Sequence, residues 1–371
     1  MKSVLVIAAS ARAAAESLCR AGFEVHAADH FGDHETRAAS SSWQSITELQ
    51  NRTSRDQASR DLQQLPAVLG GGLLGDPGWL RRLSFMSGLA PEMVVRINQP
   101  SFLYDLATDA AVAFPETTLR AHLTKSHLDR VLSDPNGWLV KPIHSCGGIG
   151  ISVPRPGMLE LSDQEMLQRR INGRSIGLCF LAQSTNAIFI GATRQLRRRP
   201  ARGMYLYGGS VGPVEVDAVL QGVFERIGQA FADRVPLDGP FNVDVMVDAN
   251  HQVSLLEVNP RYSASMELVE RAWSTRTGMP CSVFEPIETW RDRLGRPREP
   301  QGVLVKRVLY SSQRQRIDPE TLRKHLESRQ WHLTDTPNGP SMFERDEPIA
   351  TLIAPFSIGP FRAEQALRHL T

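Results

Sequence analysis

Residues 241–261 read FNVDVMVDANHQVSLLEVNPR. Two apolar, β-rich runs flank the turn-forming tetrad Asp248-Ala249-Asn250-His251, so the stretch predicts a β-hairpin. Asp244 lies on the first arm. Glu257 and Asn259 lie on the second, two residues apart and therefore on one face. Folding the arms across the turn brings Asp244 close to Glu257. Two carboxylates and an amide oxygen make a hard, oxygen-only donor set that suits Mg²⁺ or Mn²⁺. A carboxylate ending the apolar run SLLEVNP needs a cation or strong hydrogen bonds. Arg261 follows two residues later, placed to neutralise a phosphate or a substrate carboxylate. The competing reading is a salt-bridged surface hairpin, with Arg261 as a partner for Glu257 or Glu267.

Upstream, residues 137–150 read GWLVKPIHSCGGIG. Lys141 ends an apolar strand just before a Gly-rich loop. The loop's backbone amides, with Ser145, Gly147 and Gly148 among them, can close over phosphates. The Walker pattern GxxxxGK[ST] is absent. Residues 167–173 (LQRRING) precede another apolar run, and a segment between two lobes can offer its backbone to an adenine edge. Residues 205–213 (YLYGGSVGP) supply weaker candidates for substrate contact in Tyr205, Tyr207, Gly208 and Gly209. A tight turn with core tyrosines is the alternative there. Arg194, Arg197, Arg198, Arg199 and Arg202 form a local basic cluster, either a lure for a multiply charged acid or a solvated face.

At the start of the chain, residues 3–9 (SVLVIAA) have the unbroken apolar character of a buried parallel strand. An Ala-rich helix over 10–21 and a strand over 23–28 complete a βαβ unit. The first βα turn reads AASAR rather than GxGxxG, so a Rossmann-like topology is expected without the dinucleotide fingerprint. Residues 40–63 read as helix and loop, and 65–69 as a strand running into Gly70-Gly71-Gly72, which permits close approach of a ligand or serves as a turn. Residues 96–135 look mainly helical, interrupted by Phe114-Pro115-Glu116-Thr117; 137–270 alternate β-like runs with turns, 286–302 form a linker, and a last small unit follows from 303.

The 371 residues allow two or three domains at roughly 150 residues each. A net charge of +2 gives no general case for nucleic acid or an anionic membrane as partner. The four cysteines contain no CxxC pair, which argues against a zinc site and for reduced thiols in a cytoplasmic, unanchored protein.

Lys141-Pro142 with its Gly-rich loop, the segment 168–173, and Asp244…Glu257-x-Asn259-x-Arg261 together resemble the ATP-grasp superfamily in order and spacing. The tail segments 305–310 (VKRVLY) and 346–351 (DEPIAT) resemble a smaller group, predicted ATP-dependent carboligases related to biotin carboxylase, which includes tyramine–glutamate ligation. The resemblance implies a mixed α/β (α+β) fold. It would have a Rossmann-like pre-ATP-grasp domain over 1–95, a two-lobed ATP-grasp domain over 96–285 and a small α/β extension over 303–371. It also implies roles: Lys141, Ser145, Gly147 and Gly148 on ATP phosphates; Gln168, Arg169, Arg170 and Ile171 at the adenine; Asp244, Glu257 and Asn259 on Mg²⁺. Arg261 and Lys141 would be catalytic. The implied reaction is ATP- and Mg²⁺-dependent joining of a small-molecule carboxylate to an amine through an acyl phosphate, in the setting of C1-carrier cofactor biosynthesis. The alternatives are carboxylation with bicarbonate and a nucleotide-binding regulator without turnover. Arg96 stands where many members have a second ATP-binding lysine, and Gly173-Arg174-Ser175 where many carry a ribose-binding glutamate. A homodimer is the default expectation for assembly.

Overall fold

The computed structural model describes residues 1–51, 57–73, 77–144, 146–155, 159–198, 205–295, 302–327 and 331–358. The chain opens with a five-stranded parallel sheet: β1 (Ser3–Ile7), β2 (Glu24–Asp29), β3 (Ser42–Ser45), β4 (Pro66–Leu69) and β5 (Ser84–Phe85), ordered β3-β2-β1-β4-β5. The βαβ expectation is met, with β1 buried on both faces. Helix Arg12–Arg20 crosses between β1 and β2 and turns Ala14, Ala15 and Leu18 inward. The polar stretch 40–63 contains a strand as well as helices: β3 is an edge strand, where polar side chains are tolerated.

A small antiparallel sheet follows, built from β6 (Thr117–Leu119), β7 (Trp138–Pro142) and β8 (Glu165–Arg169) in the order β6-β8-β7. The interruption expected at 114–117 leads into β6, which pairs with β8.

The largest sheet holds β9 (Arg174–Gln183), β10 (Asn186–Arg198), β11 (Leu206–Gly212), β12 (Gly239–Val247) and β13 (Val253–Asn259). Later come β14 (Leu304–Tyr310), β15 (Gln315–Ile317), β16 (His332–Thr334), β17 (Ser341–Phe343) and β18 (Pro348–Pro355). Strands β14, β16 and β18 join the large sheet, ordered β13-β12-β9-β10-β11-β14-β18-β16, while β15 pairs with β17. The C-terminal strands therefore extend the central sheet. Residues 286–302, expected as a linker, include helix Ile287–Leu294, and 296–301 lie outside the described residues.

Two helices clasp the central sheet. Helix Ala218–Arg234, absent from the β-rich expectation for 137–270, packs Phe224 and Phe231 into a cluster with Phe180, Phe189 and Phe241. Gly228 lets this helix lie on β9, since a Cβ there would run into the Phe180 ring. Helix Ala264–Thr277 covers the opposite face with Met266, Val269 and Trp273. Among the described residues no helix is long and apolar enough to cross a membrane.

Candidate functional site

The hairpin β12–β13 forms with Asp248 at its turn, whose Oδ1 accepts the amides of Asn250 and Gln252. Along β12, Phe241, Val243, Val245 and Val247 enter the core, sending Asn242, Asp244 and Met246 to the other face. On β13 the register shifts by one residue between Leu255 and Glu257. This bulge at Leu256 reverses the alternation. Leu255 and Val258 both point to the core, and Glu257 and Asn259 both point to the face that carries Asp244. Asp244 then pairs directly with Glu257, and Asn242 with Asn259.

Burial and the neighbouring Glu257 carboxylate hold the Asp244 carboxyl well above the ordinary carboxylate range, against amide donation from Asn242 and Gln195. Asn242 Nδ2 is 2.7 Å and Gln195 Nε2 2.8 Å from Asp244 Oδ1. Gln195 belongs to β10 and reaches across β9, because Gly177 faces Asp244 and carries no side chain to block the way. The Asn259 amide nitrogen lies 3.4 Å from Asp244 Oδ2 and 3.3 Å from Glu257 Oε1, while its oxygen accepts Arg261 Nη2 at 2.7 Å. Asn259 thus bridges the two carboxylates. A half-turn of its amide would present the oxygen to a cation and give up the Arg261 bond. Two crowded carboxylates and an adjacent amide are a donor set that a divalent cation fits.

Lys141, on β7, lines the same cavity as this hairpin. It is buried, 6 % exposed, and its Nζ lies 3.2 Å from Gln168 Oε1. Gln168 in turn donates to Thr117 Oγ1 at 3.0 Å. The ammonium therefore has a neutral amide as its hydrogen-bond acceptor, leaving room for an anion. Arg169 pairs with Asp134 at 3.1 Å and flanks the Trp138 ring. The Arg170 amide donates to the Gly137 carbonyl, so any contact of its backbone with a base falls to its own carbonyl. Ile171 lines the cavity beside it.

Of the Gly-rich loop, Ser145 lies outside the described residues. Gly147 and Gly148 have φ of 64° and 79°, where a side chain is strained. The Tyr207 amide donates to the Gly147 carbonyl at 2.8 Å, and a Cβ on Gly148 would collide with the Tyr205 carbonyl oxygen. The loop is thereby docked on the start of β11, across the cavity from β7. Tyr205 and Tyr207 line the cavity. Tyr207 bonds Ser210 at 2.8 Å, and burial drives its phenol pKa well up. Gly208 and Gly209 do not line the cavity. Gly209 gives space to the Lys306 carbonyl on β14, and Gly208 approaches the backbone of β10 at its register shift. In the basic cluster, Arg198 pairs with Asp346 at 2.8 Å and lies over Tyr310, while Arg199 and Arg202 fall outside the described residues.

Arg261 is 9 % exposed, and besides Asn259 it reaches Cys146 Sγ at 3.4 Å and the Tyr262 carbonyl at 3.3 Å. Its Nε is buried without a partner. Gly71 approaches both Arg261 and Cys146, which brings the triple-glycine turn after β4 into the site.

Lys141, Gly147, Gly148, the segment 168–171, Tyr205, Tyr207, Asp244, Glu257, Asn259 and Arg261 line one cavity of about 1040 Å³. That is at the upper end of the roughly 300–1,000 Å³ of ligand pockets. Its first half is formed by Lys141, Gln168 and the carboxylate hairpin. Its second half is walled by loops and the first helix of the N-terminal unit (Ser10, Arg12, His30–Asp33) and by residues 337–343 of the C-terminal unit. Arg12, Glu267 and Lys306, each nearly buried, cross-link these parts. Glu267 accepts from both Arg12 Nη atoms, from Lys306 Nζ at 2.6 Å and from Arg271 at 3.1 Å, while Arg12 also holds Asp335 at 2.8 Å. Sequence reading missed Asn242, two residues before Asp244 on the same face, and Gln195, whose approach only the strand order reveals.

Residues 101–265 match the model of the ATP-grasp domain family. An uncharacterized protein of Methanocaldococcus jannaschii is 22 % identical over 288 residues, 75 % of this chain and 65 % of the relative, so the chain spans about two-thirds of that protein's length. Among solved structures, N5-carboxyaminoimidazole synthetase from Staphylococcus aureus complexed with ADP superposes with a TM-score of 0.65 at 13 % identity, over 99 % of this chain and 96 % of that one. Biotin carboxylase from Campylobacter jejuni superposes at 0.62 and 15 % identity, over 95 % and 87 %. Residues 101–265, which carry Lys141, the segment 168–171 and the carboxylate hairpin, are therefore an ATP-grasp domain, and the whole chain shares its fold with these structures, biotin carboxylase among them.

Proposed function

We propose that this protein is an ATP-dependent ligase that joins a carboxylate to an amine through an acyl phosphate. The observation that carries the reading is that Lys141 and the Asp244–Glu257 pair line one cavity with room for a nucleotide and a small second substrate. A carboxylate is a poor acyl donor because oxide is a poor leaving group. Its oxygen attacks the γ-phosphorus of ATP, the bond from that phosphorus to the bridging β-oxygen breaks, and ADP departs. The amine nitrogen then attacks the acyl carbon, gives up a proton, and inorganic phosphate leaves with the bonding pair.

This chemistry asks the protein chiefly for positioning and charge neutralisation. Lys141, held by Gln168, sets an ammonium against the phosphates. Arg261, on the cavity wall beside Asn259, sets its guanidinium charge against the acyl phosphate or the substrate carboxylate. The docked loop at Gly147–Gly148 shields the intermediate from water. Asp244, Glu257 and, after its amide turns, Asn259 would hold Mg²⁺, whose charge neutralises the β- and γ-phosphates. A setting in C1-carrier cofactor biosynthesis belongs to this reading and rests on the family resemblance alone.

The likeness to N5-carboxyaminoimidazole synthetase and biotin carboxylase favours a second reading, in which bicarbonate is the carboxylate that becomes phosphorylated. ADP release in Mg·ATP, screened over carboxylic acids paired with amines and over bicarbonate, separates the two. Release that requires both an acid and an amine supports the ligase. Release with bicarbonate and no other acid moves the assignment to carboxyphosphate chemistry.

A further inference from the structure

The second half of the cavity carries a carboxylate without a countercharge. Asp33 caps the short helix His34–Ala38, yet its side chain makes no capping hydrogen bond. It is 6 % exposed and lines the cavity, and among the described residues no donor reaches its oxygens. Its neighbours explain why none is spare. Asp29 absorbs the amides of Ala11, Phe31 and Gly32 and the Trp43 indole. Arg12 is shared among Glu16, Glu267 and Asp335, and Lys306 is bound to Glu267. Arg37 donates to the Gly32 carbonyl and lies over Trp43. Glu35 is engaged by Thr336 and, at 3.8 Å, by Arg323.

A buried carboxylate needs a cation or donors. The wall offers it neither, and the open side is the cavity. Phe31, half-exposed, with Pro337 and Pro340, supplies apolar surface alongside.

We infer that Asp33 receives the protonated nitrogen of the second substrate, an amine whose carbon body rests against Phe31 and the 337–340 loop, and takes up the proton that this nitrogen must lose before it attacks the acyl carbon. This rests on the ligase reading and adds the wall that recognises the amine. An incoming ammonium supplies the missing partner and favours the ionised carboxylate, which a phosphate or carboxylate would not. In keeping with this, burial and then Asp335, Asp29 and Glu35 push the Asp33 carboxyl up to about 8, with Arg12 opposing.

The test compares the full-length protein with Asp33→Asn. Phenethylamine and its neutral isostere 2-phenylethanol are the binding probes, and ADP release is followed over a series of alkyl- and arylalkylamines. The expected result is a preference of wild type for phenethylamine over the alcohol of at least about tenfold, lost in Asp33→Asn. The KM for the amine should rise about tenfold or more while the KM for Mg·ATP moves less than twofold. Thermal melts check the fold independently. The variant should melt above wild type at pH 9, where Asp33 is ionised without a partner, and the gap should close toward pH 4. Equal binding of amine and alcohol by wild type, or an unchanged amine KM in a variant that still releases ADP in response to amines, would overturn the inference and leave the ligase standing. ADP release that responds to bicarbonate and to no amine would remove the ligase reading, and this inference with it.

Discussion

Replacing Glu267 with Gln tests how the three parts of the chain are held around the cavity. Glu267 is 2 % exposed and meets Arg12, Lys306 and Arg271. Arg12 belongs to the N-terminal unit, Lys306 to β14 and Glu267 to the helix between them. Breaking a buried pair by removing one partner costs about 3–5 kcal/mol, because the other charge is left uncompensated. Arg12 keeps Asp335 and Glu16, so its loss is partial. Lys306 loses the one carboxylate it meets among the described residues. The lower end of the range therefore applies, about 3 kcal/mol. At roughly 2 °C per kcal/mol for a large chain, Tm falls by about 6 °C.

The neighbouring cations hold the Glu267 carboxyl well below its ordinary range despite its burial. A depressed carboxyl contributes stability that is complete above the unfolded value and is lost as pH falls through the folded one. The gap between wild type and Glu267→Gln should therefore be full at pH 7 and narrow below about pH 4. Adding Lys306→Met removes the orphaned ammonium and should restore about half of the loss. Thermal and urea unfolding across pH supply the measurement. A fall of less than about 2 °C, or a double variant no more stable than the single one, would refute the argument.

Other outcomes follow from the same geometry. Gly148→Ala places a Cβ against the Tyr205 carbonyl at positive φ, a conformation costing an L-residue about 1–2 kcal/mol before the collision. The loop should undock, raising the KM for ATP about tenfold or more with Tm nearly unchanged. Lys141→Met removes a charged donor worth about 1.5–3 kcal/mol, so ATP affinity measured by calorimetry should drop roughly ten- to a hundredfold. Cys146 touches Arg261 in the cavity wall, so alkylation by iodoacetamide should block ADP release, and bound Mg·ATP should slow the modification.

The sequence discloses local chemistry better than long-range assembly. The hairpin was legible because its turn tetrad and apolar arms are contiguous, and its carboxylates end up paired. The bulge at Leu256 was not legible. Strict alternation would have put Glu257 on the face of Leu255, and only the observed register shows how both can be satisfied. Gln195 reaches Asp244 across Gly177, a relation set by the order of β12, β9 and β10 that no local pattern contains. Helix Ala218–Arg234 did leave a signal, since Leu220, Phe224, Ile227 and Phe231 recur at helical spacing after the Asp217 cap, and the surrounding β-rich runs obscured it. The union of β14, β16 and β18 with the central sheet is likewise a matter of non-local pairing.

The central claim is that Lys141 and the Asp244–Glu257 pair form one Mg·ATP site. Calorimetric titration of ATP, with Mg²⁺ and with EDTA, into wild type and Glu257→Gln tests it most directly. The account predicts that Mg²⁺ tightens ATP binding to wild type at least about tenfold and that Glu257→Gln loses this gain while melting within a few degrees of wild type. Equal Mg²⁺ dependence in both proteins would contradict it.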